Sequence, residues 1–254
     1  MKITSLIVAK NEQNLIKDCI KSVKWTDEII VVDNVSTDKT AAIAKKLGAK
    51  VFEFTKNAES GHFGEIREFA AKKATNEWLL YIDADERVPE KLKKEILSLN
   101  PENDAYAIPR KNNLLGHDMN WGGWWPDYVL RLIKKDKLKG YFGELHEQPI
   151  IDGKIGKLKN PLYHITHQSL TEMIEKTNNW SEIEAKLMYD ANHPSMNIPR
   201  FCTALFREFW YRAFVKLGFL DGPIGIIEIM YQIFSRFVSY AKLYEMQLNE
   251  SSNI

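Results

Sequence analysis

Cysteine is almost missing from these 254 residues: there are two, Cys19 and Cys202, far apart and without metal-ligand spacing. That leaves no cysteine-bound metal, and it favours buried thiols in a reducing compartment over a disulfide. An excess of either charge is missing too. Lys plus Arg number 35 against 34 for Asp plus Glu, a formal net charge of +1. Binding to a phosphate backbone calls for a clear basic excess, so nucleic acid is not expected as a partner. No window reaches the roughly 18 uncharged apolar residues that a membrane span needs. The N-terminal MKITSLIVAKNE lacks an apolar core long enough for a secretory signal, so a cytoplasmic chain is expected. Neither G-x-G-x-x-G nor G-x-x-x-x-G-K-[ST] occurs, so a nucleotide here is gripped by carboxylates and metal instead of a glycine-rich loop.

What is present is an alternation of apolar runs with helical periodicity, in a length that suits one large α/β domain or a domain with an appendage. Ile3 to Val8 reads as a strand, and Leu15, Ile16, Cys19, Ile20 and Val23 follow at helical spacing. Glu28 to Asp33 is a second buried strand. Ser36, Thr37 or Asp38 can cap a helix that starts near Thr40 and stops at Leu47–Gly48. Lys50 to Phe54 is a third strand, and a helix over about 65–74 precedes the fourth, Trp78 to Ile82. This order predicts a parallel sheet with helices on both faces and polar strand ends on one crevice rim.

The fourth strand ends in Asp83 and Asp85. Carboxylates that close repel each other unless a cation lies beside them. Hard divalent ions such as Mg²⁺ or Mn²⁺ take one or two carboxylates plus substrate phosphates, so the pair predicts a metal–phosphate site. The alternative makes Asp85 the N-cap of the next helix, with Glu86 and Glu90 at its positive end.

Downstream, a helix over 89–99 and a strand at 105–110 lead to a loop with Trp121, Trp124 and Trp125 around Gly122–Gly123. These rings read either as a platform for sugar faces or as packing. Residues 128–134 form a strand in which Arg131 faces the phosphates. A helix capped by Ser169 or Thr171 runs to about Asn192, and a proline-bearing linker covers 193–199. Two aromatic-rich helical stretches then carry Arg207, Arg212, Lys216, Arg236 and Lys242. They are either an interfacial helix pair with snorkelling basic residues or a face buried in a core or dimer.

In this order the segments resemble the family 2 glycosyltransferases with a GT-A fold. EIIVVDNVSTDKT resembles the family's V-D-D-G-S-T-D-x-T, and YIDADE resembles its D-x-D segment. Lys10-Asn11-Glu12, Trp25 to Asp33, Glu77 to Val88, His146-Glu147 and the PLYH ending at His164 are similar to motifs of one branch. That branch adds sugars to the inner core of lipopolysaccharide and includes the heptose β-1,4-glucosyltransferases. The resemblance covers roughly residues 2 to 180.

The resemblance implies an α/β catalytic domain over 1–168, its donor half about 1–100 and its acceptor half about 101–168. A Rossmann-like, mostly parallel sheet flanked by helices would be followed by an aromatic-rich helical extension over 169–254. It further implies a nucleotide-diphosphate sugar donor and Mg²⁺ or Mn²⁺ as cofactor. Asn11, Glu12, Asp33, Arg67 and Asp83 would contact the donor, Asp33 at the base and Asp83 at the ribose or metal. Asp85 would hold the metal, with His164 as a further ligand or a phosphate donor. Asn34 and Val35 replace the family's second Asp and Gly, which leaves the base open. Arg67 reads equally as an exposed helix-surface arginine.

An inverting transfer needs a carboxylate to take the acceptor's proton. The resemblance places Glu147 there, with Glu144 as the fallback. The other reading of His146-Glu147 is a surface ion pair. Trp121, Trp124, Trp125 and Arg131 fall on the acceptor side. The expected activity moves a hexose, glucose favoured, to a lipid-linked saccharide such as lipopolysaccharide core, with the chain peripheral on the inner face of the cytoplasmic membrane. One rival, a sugar-phosphate nucleotidyltransferase, needs a glycine-rich basic loop that KNEQNL lacks. Against the other, a non-catalytic sugar- or membrane-binding module, stand Asp83, Asp85 and Glu147.

Overall fold

The computed structural model describes residues 1–55, 63–143 and 147–252. It divides into two compact units, residues 1–111 with 127–165 and residues 112–126 with 166–254. In the first unit β1 (Ile3–Ala9), β2 (Glu28–Asp33), β3 (Lys50–Glu53) and β4 (Trp78–Asp83) are parallel, in the order β3-β2-β1-β4. Between them run α1 (Ile16–Ser22), α2 (Thr40–Lys46) and α3 (Phe63–Lys73). The side chains explain the layering. Ile3, Ile7, Leu80 and Ile82 point to one face and pack on Ile16, Cys19, Ile20 and Ala44 of α1 and α2. Leu6, Leu79 and Tyr81 point to the other and pack on Ile66, Ala70 and Ala71 of α3. This period of two, apolar on both faces, marks strands covered by helices on both sides.

Beyond β4 the sheet changes direction. The later strands are β5 (Glu86–Arg87), β6 (Ala105–Leu114), β7 (His117–Asp118), β8 (Asp127–Lys134), β9 (Leu138–Phe142), β10 (Gln148–Ile151), β11 (Ile155–Lys157) and β12 (Leu162–His167). The order continues β4-β8-β6-β12-β5, with β8 antiparallel to β4 and β6, and β5 antiparallel to β12. β11 joins β6 in parallel, and β9 and β10 form a separate antiparallel ribbon. Pro89, not Asp85, is the N-cap residue of α4 (Glu90–Leu97), whose Leu92 and Ile96 complete the first core. Asp85 is thereby left outside the helix, in the turn that leads into β5. The α2 cap is likewise displaced: Lys39 occupies the cap position, while Asp38 Oδ1 accepts from the Thr40 amide at 2.8 Å.

The second unit holds α5 (Leu170–Asp190), α6 (Ile198–Trp210) and α7 (Gly222–Ser252). A π-helical turn at Tyr211–Val215 and a 3-10 turn at Gly218–Asp221 separate α6 from α7. Ser169 and Asn197 cap α5 and α6, each accepting a main-chain N–H three residues on. Such caps satisfy amides that the first turn leaves without partners. Ala185, Met196, Ala204, Tyr240 and Leu243 form the helical core. Among the described residues, no helix is long and apolar enough to cross a membrane. Both cysteines are free thiols; Cys19 is buried as expected, but Cys202 is exposed because it lies on the outer side of α6.

Candidate active site

Parallel register brings three strand ends together. Ala9 of β1 pairs with Asp33 of β2, and Val8 pairs with Asp83 of β4, so the loops after β1, β2 and β4 leave the sheet at one rim. The first two loops are tied together. Asn11 Oδ1 accepts from the Thr37 amide at 2.8 Å, the Asn11 amide donates to Ser36 Oγ at 2.9 Å, and the Glu12 amide donates to Thr40 Oγ1 at 2.7 Å. Asn11 and Glu12 thus join the loop after β1 to the loop after β2. Asp33 is buried; its Oδ2 accepts from the Ser36 amide at 3.1 Å, while its Oδ1 has no hydrogen-bond partner among the described residues. Val35, where the family has Gly, sits at φ +54°, a left-handed conformation costly for a β-branched residue.

At the end of β4 the two carboxylates differ. Asp83 Oδ1 accepts from Arg67 Nη2 at 2.8 Å, and its Oδ2 pairs with Arg131 Nη2. The same Arg131 nitrogen reaches Glu86 Oε1 at 2.6 Å, and the Asp83 amide donates to Glu86 Oε2 at 2.9 Å. Arg110 is bound to Asp127 at 2.6 Å and stands 3.8 Å from Glu86. Burial raises the Asp83 pKa, but Arg131 and Arg67 outweigh it and hold the carboxyl far below its usual range. In Glu86, fully buried, burial wins and the pKa is raised, with the Asp83 charge adding to it. Burial works against the Arg131 cation, yet Asp83 and Glu86 push its pKa above the ordinary value. Arg67 is therefore a half-buried partner of Asp83, not an exposed surface arginine.

Asp85 stands apart from this network. Its Oδ2 lies 3.3 Å from His164 Nε2, and its Oδ1 is buried with no hydrogen-bond partner among the described residues. β5 and β12 create the pair, because their antiparallel register sets His164 opposite Glu86 and the Ile165 amide donates to the Asp85 carbonyl at 2.9 Å. An orphaned buried carboxylate oxygen beside an imidazole suits a hard or borderline divalent ion whose remaining ligands come from phosphate and water. Among the described residues no cluster of three or more His, Cys, Asp or Glu side chains could hold a metal alone. The residues present therefore fit an ion shared with a diphosphate.

Glu147 immediately precedes β10 and is half-buried. A Cβ placed on Gly64 would meet Tyr141 Cβ at 3.0 Å and Glu147 Cγ at 3.8 Å, so Glu147 lies against the first turn of the helix that carries Arg67. Glu144 and His146 lie outside the described residues. The tryptophans belong to the second unit and divide there: Trp121 and Trp125 are exposed, whereas Trp124 packs among Leu114, Met119 and Met173. Arg131, grouped with them from the sequence, belongs to the first unit and its carboxylate network. Sequence reasoning missed Glu86 and Arg110 as members of that network. A guanidinium inside the apolar run YVLRLIK was the available signal, since a buried cation requires a buried carboxylate partner.

The profile of the family described as "Glycosyl transferase family 2" matches residues 4–158. An uncharacterized glycosyltransferase of Rickettsia conorii is 31% identical, with 100% of this chain and 93% of that protein covered. A lipopolysaccharide core biosynthesis glycosyltransferase, LpsC of Rhizobium meliloti, is 28% identical over 96% of this chain and 93% of its own length. Among solved structures, S. aureus TarS 1-349 in complex with UDP-GlcNAc superposes with a TM-score of 0.54 at 17% identity, covering 96% of this chain and 89% of that one. That likeness is one of fold.

Proposed function

The chain belongs to glycosyl transferase family 2, has its GT-A fold and is a glycosyltransferase, and from that premise we propose an inverting, metal-assisted hexose transfer from a nucleotide-diphosphate sugar to a lipid-linked saccharide at a membrane surface. The observation that carries the reading is Asp85, paired with His164 and keeping one buried oxygen without a partner, at the strand end where Asp83 is already neutralised by arginines. A Mg²⁺ or Mn²⁺ ion held by Asp85 and His164 would neutralise charge on the diphosphate.

The chain's own groups do the rest. Asp33 and the knitted loops at 11–12 and 36–40 hold the nucleoside end, and Arg67 and Arg131, matched by Asp83 and Glu86, fix the strand end from which Asp85 follows. Glu147 takes the proton of the acceptor hydroxyl as that oxygen bonds to the anomeric carbon. The bond from that carbon to the diphosphate oxygen breaks, and the electron pair leaves with the diphosphate. Trp121 and Trp125 present exposed rings on which sugar faces can stack. A lipopolysaccharide-type acceptor is favoured by the likeness to LpsC over almost the whole chain, and glucose by the inner-core branch that the sequence motifs resemble.

The test is a thermal-shift screen of nucleotide sugars with and without Mn²⁺, since a ligand of the native state raises Tm by mass action. We expect a Mn²⁺-dependent shift with one donor, lost in Asp85→Ala, and transfer lost in Glu147→Gln with that shift retained. Equal shifts in wild type and Asp85→Ala would overturn the assignment of Asp85.

A further inference from the structure

The second unit exposes an apolar surface that its own helices do not cover. Phe206, Phe209, Trp210, Tyr211, Phe214 and Phe219 are each 37–63% exposed. Four of the rings form one continuous strip: Phe206 stacks on Trp210 at 6.0 Å, Trp210 meets Phe214 at 4.8 Å, and Phe214 meets Phe209 edge-on at 5.6 Å. Phe206, Trp210 and Phe214 meet because they are four residues apart along α6 and the π-helical turn that continues it. Next to the strip opens a cleft of about 390 Å³ walled by Phe209, Phe214, Phe219, Ile226, Ile229 and Met230. Soluble monomers seldom expose a contiguous apolar patch of this kind without a partner.

Charge identifies the partner. Residues 198–230, which carry the strip and the cleft, contain four basic residues (Arg200, Arg207, Arg212 and Lys216) and three acidic ones (Glu208, Asp221 and Glu228). Asp221 and Glu228 are buried, and Glu208 is bound to Arg212 at 2.5 Å. The surface of this region thus offers apolar rings and cations, and its carboxylates are withdrawn. A second copy docking through this same face by two-fold symmetry would set like cations against one another, and none of the face's own three carboxylates is free to meet them. An anionic bilayer supplies the opposite charge at headgroup level and hydrocarbon beneath it, the arrangement that Trp, Tyr and snorkelling Lys and Arg side chains match.

We propose that this face docks on an anionic lipid bilayer, with Arg207 and Lys216 facing headgroup phosphates and the cleft taking an acyl chain. The proposal deepens the transfer reading above, because it names the surface on which a lipid-linked acceptor would be met. Its test does not depend on transfer.

The full chain is floated with phosphatidylethanolamine–phosphatidylglycerol vesicles and, separately, with phosphatidylcholine vesicles. Wild type should float with the anionic vesicles and bind the neutral ones about tenfold more weakly. Phe214→Ser with Met230→Ser, and independently Arg207→Glu with Lys216→Glu, should each lower the bound fraction at least about fivefold. Both double variants should keep the far-ultraviolet circular dichroism and the Mn²⁺-dependent nucleotide shift of wild type. The exposed charge pair keeps the test decisive should the apolar pair fail to fold. Absence of vesicle binding by wild type, or binding that the charge variant retains in full, would overturn the proposal. So would a dimer in sedimentation velocity that Phe214→Ser with Met230→Ser dissolves, in the absence of vesicle binding. A nucleotide shift without vesicle binding refutes the docking face and leaves the transfer reading standing; vesicle binding without a nucleotide shift does the reverse.

Discussion

Two carboxylates two positions apart on one strand end have different work because their surroundings differ. Asp83 is gripped by Arg67 and Arg131, and through Arg131 it is tied to the fully buried Glu86. Removing its charge leaves Arg131 inside the protein with half of its counter-charge, and breaking a buried pair from one side costs about 3 kcal/mol. Asp85 carries a buried oxygen with no partner among the described residues, so the folded state gains little from its charge. Asp83→Asn should therefore lower the unfolding free energy by about 2–3 kcal/mol in urea titration, while Asp85→Asn leaves it within about 0.5 kcal/mol or raises it. Activity should fall in both, but with Asp85→Asn the loss should come without a loss of folded protein. Equal destabilisation by the two substitutions would refute this division of roles.

At the scale of elements, the 117–122 loop depends on one buried side chain. Asp221, in the 3-10 turn before α7, accepts from the Asn120 amide at 3.0 Å, the Trp121 amide at 2.8 Å and His117 Nε2 at 3.3 Å. Gly122 is held from the same side, its amide donating to the Lys216 carbonyl at 2.9 Å and its carbonyl accepting from Arg212 Nη1 at 3.2 Å. Gly218 permits that approach, because a Cβ there would lie 3.2 Å from Gly122 Cα and 2.9 Å from the Arg212 carbonyl. Asp221→Ala removes the shared acceptor of the Asn120 and Trp121 amides, at about 1 kcal/mol for each bond lost. Limited proteolysis should then cut first within 116–126. Unchanged cleavage would show that Asp221 does not anchor the loop.

The same loop shows where sequence stops being readable. The strands β1 to β4 and their helices announce themselves through local periodicity, and their predicted bounds differ from the observed ones by a residue or two. The aspartates at their ends follow directly from parallel register. Nothing local shows that residues 112–126 group with helices beginning some fifty positions later, or that Asp221 sits beneath Trp121. Those facts depend on pairing between distant segments, as does the placement of His164 beside Asp85 by the two-residue strand β5. Trp124 was a ring whose role only tertiary packing could decide, and it went to the core while its neighbours stayed outside.

For the whole molecule, two buried carboxyls of opposite tendency, one in each unit, should shape stability against pH. Burial pushes Glu28 up, but hydrogen bonds from Lys50, Thr75 and Thr4 prevail and hold its pKa at about 2 against an ordinary 4.5. A depressed carboxyl contributes stability above about pH 4.5 and loses it as pH falls toward 2. Asp83 acts in the same direction. Glu228 in α7 is the reverse case: burial raises it from 4.5 to about 7, and Gln232 and Arg212 only partly oppose this. Its protonated form is favoured in the native state, so its contribution is complete below about pH 4.5 and is lost as pH rises through 7. At roughly 1.4 kcal/mol per unit, each group is worth at most about 3.5 kcal/mol across its window, and less where solvent screens it. Urea unfolding from pH 2.5 to 8.5 should therefore give a stability maximum between the two limbs. Glu28→Gln should flatten the acid limb and cost about 2 kcal/mol at pH 7, while Glu228→Gln should flatten the alkaline limb and add about 2 kcal/mol at pH 8. Should Glu228→Gln lower stability at pH 8 instead, the carboxylate would be the favoured native form, and the alkaline limb would have to arise from other groups.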